Sequence, residues 1–249
     1  MPKSDTSWGK VADWYGNSVS RSGSYQQELV YPYLLRMASP KKGERVIDVG
    51  CGGGFFAAEL HSAGCAVHGT DISPELIARA KKKVPAGNFT VAKAENLSSV
   101  KEKDFDKAFF VLALQNIEGA GKAIDEVSRL LRPGGKLYVV LNHPCFRIPE
   151  FSGWGWDERN QYRRVDRYLS ESKSDILMRP GADPSIKTVS FHRPLQYFFK
   201  SFNKAGFAVS RLEEWNSKKT SEPGPRARME DRARKEIPLF MAIECLKAE

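Results

Sequence analysis

The fold is decided by the stretch Val46-Ile47-Asp48-Val49-Gly50-Cys51-Gly52-Gly53-Gly54. An apolar segment predicts a buried strand over residues 45–49, and the glycine-rich turn that follows runs into a predicted helix over residues 54–63. Glycines are needed where the backbone turns sharply and where a ligand approaches the main chain closely. The stretch therefore predicts the first strand, the ligand loop and the first helix of an open α/β sheet.

The spacing of these glycines separates two kinds of ligand loop. A dinucleotide-binding fingerprint has the spacing G-x-G-x-x-G and cradles a pyrophosphate. Here the third glycine, Gly54, comes one residue early, and the carboxylate of Asp48 stands two positions before Gly50. The pattern therefore argues against a dinucleotide, and a glycine turn that binds no ligand is the structural alternative.

Residues 45–141 alternate β-branched runs with amphipathic segments, as expected for parallel strands joined by crossover helices. Strands are predicted at 45–49, 66–70, 88–91, 105–112 and 136–141, and helices at 54–63, 74–83 and 120–131. The segment 142–193 breaks the alternation and is interpreted as an inserted lid over the sheet. A helix at 194–205 and strands at 207–214 and 239–246 complete the pattern, after a helical lead-in at 1–40. We predict a single α/β domain over residues 1–249.

A second carboxylate closes the second predicted strand in Gly69-Thr70-Asp71-Ile72-Ser73. Asp71 follows the first glycine of the loop by about twenty residues, where a carboxylate can accept both hydroxyls of a ribose. The alternative is that Asp71 caps the helix that begins at Pro74, although Ser73 suits that position better. The spacing therefore indicates a nucleoside-binding carboxylate.

These two motifs and a third, Leu130-Leu131-Arg132-Pro133-Gly134-Gly135-Lys136-Leu137, carry a family resemblance. The chain resembles the class I S-adenosylmethionine-dependent methyltransferases, in particular the small-molecule enzymes similar to the ubiquinone and menaquinone biosynthesis methyltransferases. The resemblance is strong over residues 45–141 and weaker at both ends. It implies a Rossmann-like, seven-stranded, mostly parallel sheet with helices on both faces and an antiparallel last strand.

The resemblance also implies the cofactor, S-adenosylmethionine, and its contacts. The glycine turn would hold the methionine portion, Asp71 the ribose, and the segment after the third strand the adenine. Lys93 stands where the family more often has Asp, so Glu95 or the backbone of Ala94 is the predicted adenine contact. The full set of predicted contacts is Asp48, Gly50, Cys51, Gly52, Gly54, Asp71, Ile72, Ala94, Glu95, Val111, Leu112 and Gln115.

Methyl transfer from a sulfonium mainly requires alignment of the reacting atoms and exclusion of water. A general base is needed only when the acceptor must lose a proton. His143, in Asn142-His143-Pro144 at the carboxyl end of the fifth strand, is the predicted candidate for that base. Its alternative role is that of a hydrogen-bonded histidine in a turn. The acceptor atom, an oxygen, nitrogen or carbon of a small molecule, stays open.

The insertion interleaves aromatic residues with arginines, which suits a pocket for a planar or acidic small molecule or, equally, a small core of its own. The same composition suits stacking on RNA bases, so an RNA methyltransferase is an alternative. From Arg147 to Arg193, however, nine basic residues face seven acidic ones, and a net charge of two does not favour a nucleic-acid groove. A cofactor-binding partner protein without turnover is the third possibility.

Bulk properties set the remaining limits. The 249 residues are 41% hydrophobic, enough for one sizeable core, and carry a formal net charge of +9. The four cysteines, Cys51, Cys65, Cys145 and Cys245, are scattered and predict neither a disulfide framework nor a metal site. No apolar run reaches the roughly 18 residues of a membrane span, and the start lacks the apolar core of a signal peptide. We expect a cytoplasmic protein of unspecified oligomeric state.

Overall fold

The computed structural model describes residues 7–10, 16, 23–177 and 187–248. Seven strands form the central sheet, in the order β10-β11-β5-β4-β1-β2-β3, and four more form two separate antiparallel pairs, β6-β7 and β8-β9. The strands are β1 Arg45–Val49, β2 Ala66–Asp71, β3 Asn88–Val91, β4 Phe105–Val111, β5 Leu131–Asn142, β6 Ser152–Trp156, β7 Gln161–Val165, β8 Ser172–Leu177, β9 Lys187–His192, β10 Phe207–Trp215 and β11 Phe240–Lys247.

Helices connect and cover these strands. They are α1 Ser7–Lys10, α2 Tyr31–Ala38, α3 Phe55–Ser62, α4 Pro74–Lys83, α5 Ala120–Leu130, α6 Leu195–Lys204 and α7 Ala227–Glu236. A π-helical turn, Gln26–Val30, leads into α2, and a 3₁₀ turn, Leu114–Asn116, follows β4. Within the described ranges, every helix is too short or too polar to cross a bilayer.

The predicted sheet is confirmed. β1 pairs in parallel with β2 and β4, and β4 pairs in parallel with β5. The last strand, β11, runs antiparallel to both of its neighbours, β5 and β10. Because β1 lies between β2 and β4, the loops that leave these three strands meet at one edge of the sheet, which is where open α/β sheets bind ligands.

Two apolar clusters, one on each face, hold the helices against this sheet. Phe109 of β4 belongs to the cluster that includes Phe56 of α3, whereas the adjacent Phe110 belongs to the cluster that includes Ile124 of α5. Alternation within a strand thus supplies both cores, since successive side chains point to opposite faces. Each fully buried side chain of this size contributes about 1.5–3 kcal/mol. The prediction of helices on both faces is confirmed.

Helix α4 has the bounds that its sequence predicts, because both ends carry clear signals. The Ser73 side chain accepts a hydrogen bond from the Leu76 amide at 3.2 Å, and Pro74 occupies the first helical position. Lysines fill the last turn, where cations interact favourably with the helix dipole. Ser73, and not Asp71, is therefore the helix cap.

The fifth strand differs from its prediction. It begins at Leu131 and not at Lys136, because Arg132-Pro133-Gly134-Gly135 is accommodated within the strand. Leu131 pairs with Phe105, and pairing resumes with Lys136 opposite Lys107, so the extra residues form an irregularity in the ladder. Gly134 adopts a φ of 68°, a conformation that glycine reaches without strain.

The insertion at 142–193 contains the β6-β7 and β8-β9 pairs. We call the latter the β8–β9 ribbon; its connecting residues, 178–186, lie outside the described part of the chain. Residues 7–10 and 25–38 of the lead-in are helical, and Leu34 and Met37 of α2 join the apolar cluster of α3. Residues 1–6, 11–15 and 17–22 of the predicted lead-in lie outside the described residues.

Candidate active site

A cavity of about 420 Å³ opens at the carboxyl ends of β1 to β4. The glycine loop forms its floor, and the segments that follow β2, β3 and β4 form its walls. Ten of the residues predicted from sequence line it: Asp48, Gly50, Cys51, Gly52, Asp71, Ile72, Ala94, Glu95, Val111 and Leu112. The topology therefore brings together residues that are spread over more than sixty positions of the chain.

The glycine loop is held by the backbone of the neighbouring strand. The amides of Gly50 and Cys51 both donate to the Thr70 carbonyl, at 2.8 and 2.9 Å. Gly50 has a φ of 74°, and a Cβ atom at this position would lie 2.6 Å from the Ala113 Cβ. Only glycine fits this close approach, which leaves the loop backbone open to the cavity.

Gly54, a predicted cofactor contact, is not among the described residues that line the cavity. It has a φ of 77°, and a Cβ atom there would lie 2.9 Å from Ala80 of α4. The absence of a side chain at Gly54 thus permits close packing of the start of α3 against α4. Gly54 therefore contributes to the packing of the two helices beside the cavity.

Asp71 fixes the loop through its carboxylate. Its Oδ2 accepts a hydrogen bond from the Gly52 amide at 3.0 Å, and its Oδ1 accepts one from the Ser73 amide at 2.9 Å. Burial raises the pKa of Asp71, and the hydrogen bonds from Ser73 and Gly52 act in the opposite direction. Each carboxylate oxygen has acceptor capacity left, so the group can also receive hydroxyl donors from a ligand in the cavity.

Asp48 is the most deeply buried acidic group of the cavity, with 1% of its surface exposed. Its Oδ1 has no hydrogen-bond partner within the described residues. Burial, and secondarily the charge of Asp71, raise the pKa of Asp48 to about 7. A buried carboxylate oxygen without a donor is costly unless a ligand supplies one, so the arrangement suits a ligand with a cationic donor.

The wall after β3 contains Lys93, Ala94 and Glu95. Glu95 Oε1 accepts a hydrogen bond from the Gly119 amide at 3.1 Å, which ties this wall to the beginning of α5. The Lys93 and Asn96 backbones form an isolated bridge, with the Asn96 amide donating to the Lys93 carbonyl at 2.9 Å. The Glu95 carboxylate thus already has a structural partner, while the Ala94 backbone borders the cavity.

The wall after β4 corresponds only in part to the prediction. Val111 and Leu112 line the cavity, whereas Gln115 is not among the described lining residues. Leu112 has a φ of 54°, rare for a residue with a side chain, and its amide donates to the Val140 carbonyl at 2.9 Å. Asn116, which sequence reasoning missed, lines the cavity and donates from Nδ2 to the Leu112 carbonyl at 3.2 Å.

The roof of the cavity comes from segments outside the sheet. Sequence analysis did not predict these residues as cofactor contacts. Phe55 and Phe56 directly follow the glycine loop, whereas the other roof residues lie in elements that are distant from the loop in the chain. The β8–β9 ribbon contributes Lys173 and Phe191, which are cross-strand partners. The lining residues of the roof are Trp8, Tyr31, Phe55, Phe56, Lys173, Val189 and Phe191.

Two tryptophans of the insertion lie against arginine side chains. Arg163 lies 5.2 Å from the Trp154 ring centroid, and Arg226 of the segment before α7 lies 4.5 Å from that of Trp156. Arg163 also donates to the Phe146 carbonyl at 2.7 Å. These arginines are engaged in local contacts. Trp154 and Trp156 nevertheless remain 37% and 51% exposed and are not among the described residues that line the cavity, so the contacts support neither the predicted pocket nor a buried core here.

His143 lies at the end of β5, with only 2% of its surface exposed, and is not among the described residues that line the cavity. Its Nε2 is 2.7 Å from Glu214 Oε1, and its Nδ1 accepts a hydrogen bond from the Cys145 amide at 3.2 Å. Burial lowers the pKa of His143, and Glu214 partly offsets this effect. In the neutral ring, Nε2 carries the proton and donates to Glu214, so both nitrogens are engaged.

Comparison with known proteins agrees with this geometry. Residues 47–139 match the family model described as a methyltransferase domain. The chain is 29% identical to the malonyl-[acyl-carrier protein] O-methyltransferase of Pectobacterium atrosepticum, over 59% of this chain and 57% of the relative. It is 31% identical to an uncharacterized methyltransferase of Synechocystis, over 51% of this chain and 68% of the relative. The chain thus spans little more than half the length of the first of these relatives.

Among solved structures, an S-adenosylmethionine-dependent methyltransferase from Mesorhizobium loti superposes with a TM-score of 0.71 and 25% identity. The match covers 89% of this chain and 99% of that one. The strand order, the glycine loop and the acidic strand ends define a methyltransferase-type α/β fold. The chain belongs to the class I S-adenosylmethionine-dependent methyltransferases, and S-adenosylmethionine is the cofactor of this family.

Proposed function

We propose that this protein transfers the methyl group of S-adenosylmethionine to an oxygen, nitrogen or carbon atom of a small-molecule acceptor. The observation that carries the proposal is the covered cavity in which a glycine loop and two buried carboxylates, Asp48 and Asp71, meet. The cofactor supplies a methyl group that is already activated by its bond to a positively charged sulfur. The protein then has to bind the cofactor and the acceptor, orient their reacting atoms, and exclude water from the cavity.

The residues present fit this cofactor. Asp71 retains acceptor capacity on both oxygens, which supports its assignment to the ribose hydroxyls. The unpartnered Oδ1 of Asp48 supports a role opposite the positive charge of the methionine portion. The narrow loop at Gly50 leaves room for that portion beside the backbone. Ala94, with the apolar side chain of Ile72, is proposed to surround the adenine, and Val111 and Leu112 are proposed to line the methionine end of the cofactor.

Exclusion of water is assigned to the roof. Phe191 and Val189 of the ribbon, together with Trp8 and Tyr31, place apolar surface over the cavity. Removal of water prevents loss of the activated methyl group and strengthens the electrostatic contacts of the buried carboxylates. The geometry around His143 favours chemistry without a base from this residue, and the prediction of a base there is tested below.

The acceptor is proposed from the cavity and from the relatives. The Pectobacterium relative is named an O-methyltransferase, so oxygen nucleophiles are the acceptors to test first. The RNA alternative receives less support, because Arg163 of β7 stacks on Trp154 and donates to the Phe146 carbonyl within the insertion. A partner protein without turnover is the remaining alternative, and only an assay separates it from an enzyme.

The test begins with calorimetric titration of the purified protein with S-adenosylmethionine, S-adenosylhomocysteine and NAD. Micromolar binding of the first two and none of NAD is the expected result. Cell extract is then incubated with the protein and methyl-labelled cofactor, with and without ribonuclease. Label in small, ribonuclease-insensitive products supports the proposal, label lost on ribonuclease treatment supports the RNA alternative, and unchanged cofactor supports the partner protein.

A further inference from the structure

A buried guanidinium stands between the ribbon and the cavity wall. Arg193 directly follows β9 and is 4% exposed. Its Nη2 donates to the carbonyls of Ile117 and Glu118, at 3.1 and 2.5 Å. Both of these residues line the cavity. One side chain thus anchors the segment that leads from the 3₁₀ turn after β4 into α5.

The same guanidinium is stacked between two aromatic rings. Its Cζ lies 5.1 Å from the ring centroid of Phe191 and 5.0 Å from that of Tyr197. Phe191 is part of the cavity roof, and Tyr197 lies in the first turn of α6. A planar guanidinium suits this position, because it can stack on ring faces and donate in its own plane at the same time.

Stability alone does not account for a charge at this position. Arg193 Nε and Nη1 make no hydrogen bond within the described residues, and the Glu171 carboxylate lies 3.7 Å from Nε. The Glu171 side chain is 60% exposed. Replacement of a buried charge by an apolar side chain of similar volume is often neutral or stabilising. The presence of a cation is therefore better explained by a functional role of Arg193 at the cavity.

We propose that Arg193 is a positioning residue that couples the β8–β9 ribbon to the Ile117–Glu118 wall of the cavity. Through this coupling, cofactor binding against the wall and closure of Phe191 over the cavity stabilise each other. The inference rests on the proposed function, because it takes S-adenosylmethionine as the occupant of the cavity. Arg193 itself acts through Phe191, Ile117 and Glu118.

The experiment compares Arg193→Met, which keeps most of the volume, with Arg193→Lys, which keeps the charge. Lys187→Met is the matched control, since Lys187 lies at the far end of the ribbon and pairs with Asp175 at 3.6 Å. S-adenosylhomocysteine is titrated by calorimetry, and amide exchange of residues 187–192 is measured with and without it. We expect the dissociation constant of Arg193→Met to rise about tenfold. Its cofactor-dependent protection of the ribbon should be lost, while the control keeps wild-type values.

Arg193→Lys is expected to lie between Arg193→Met and the wild type, because one ammonium cannot stack and reach both carbonyls. If Arg193→Met does not fold, wild-type affinity and protection in Arg193→Lys overturn the inference. Wild-type affinity together with wild-type protection in a folded Arg193→Met overturns it as well, even if the melting temperature falls. Failure of the wild-type protein to bind S-adenosylhomocysteine would overturn the proposed function and this inference together.

Discussion

Asp48 and Asp71 end adjacent strands, yet their surroundings give them different properties. The Asp71 carboxylate accepts two backbone amides, whereas one oxygen of Asp48 has no partner within the described residues. Hydrogen bonds to an ionised carboxylate stabilise the charge, and burial without them favours the protonated form. The two residues therefore suit different parts of one ligand, and each can be tested separately.

Replacement of Asp71 should weaken cofactor binding through loss of the ribose contact. For Asp71→Ala we expect a loss of about 2 kcal/mol, or about thirtyfold in the dissociation constant of S-adenosylhomocysteine measured by calorimetry. Asp71→Asn should lose less affinity than Asp71→Ala, because the amide side chain keeps one acceptor oxygen. Asp106→Ala, which removes a carboxylate near the start of β4 at the opposite edge of the sheet, is the control. Equal affinity in Asp71→Ala and wild type would remove Asp71 from the site.

Binding of the cofactor should release a proton from Asp48. With a pKa of about 7 in the cofactor-free protein, against an ordinary value of 3.8, this carboxyl is mostly protonated at pH 6. A cationic ligand favours the ionised form, so affinity should rise by about tenfold per pH unit below 7 and then level off. Calorimetry at pH 6 in buffers of different ionisation enthalpy measures the released proton. Asp48→Asn should release none, and pH-independent affinity in the wild type would contradict the assignment.

The same raised pKa has a consequence for stability. Between about pH 4 and pH 7 the folded, cofactor-free protein binds a proton at Asp48 that the unfolded chain has released. The contribution of this residue to the free energy of unfolding therefore falls as the pH rises through that interval. The ionised Asp48 carboxylate thus destabilises the cofactor-free protein, and a cationic cofactor can offset that cost.

At the scale of elements, β5 and β10 are linked across β11 by the contact between His143 and Glu214. The imidazole also accepts a hydrogen bond from the Cys145 amide, and its ring centroid lies 4.7 Å from that of Phe146. His143 therefore holds the first residues of the insertion in place. This position is compatible with the turn role that the sequence leaves open. His143 would act as a general base only after one of these hydrogen bonds breaks.

His143→Ala is therefore expected to lower the melting temperature while kcat changes less than about threefold. A general base typically contributes 10²–10⁴ in rate, so its removal would have a much larger effect. Glu214→Gln, which preserves shape, should likewise change stability more than turnover. Steady-state kinetics over a range of pH, once an acceptor is known, provide the measurement. A hundredfold loss of kcat with an altered pH profile would establish His143 as the base.

At the scale of the whole molecule, the two C-terminal strands complete the sheet that carries the cofactor cavity. β11 is hydrogen-bonded to β5 along most of its length, so residues 194–248 share the core of residues 45–141. The prediction of a single domain requires that both parts unfold together.

Thermal unfolding should accordingly show one cooperative transition that responds to the cofactor. S-adenosylhomocysteine at a hundred times its dissociation constant should add about 2.7 kcal/mol, which raises the melting temperature by roughly 5–10 °C. NAD at the same concentration should leave it unchanged. Calorimetric scans provide the measurement, and two transitions of which only one shifts would divide the chain into separate units.

The sequence by itself determined where the seven sheet strands and the helices between them lie along the chain, the glycine loop and the two acidic strand ends, whereas the order of the strands in the sheet was implied by the family resemblance and the strand pairs of the insertion were not predicted. These features depend on hydrophobic period, turn chemistry and helix caps, all of which act over a few residues, as the bounds of α4 illustrate. Only the tertiary structure decided which side chains meet: the unpartnered oxygen of Asp48, the roof of Trp8 and Phe191, the pairing of His143 with Glu214, and the burial of Arg193. Those contacts join residues far apart in the chain, and they follow from the packing of whole elements, which leaves no periodic signature in any one segment.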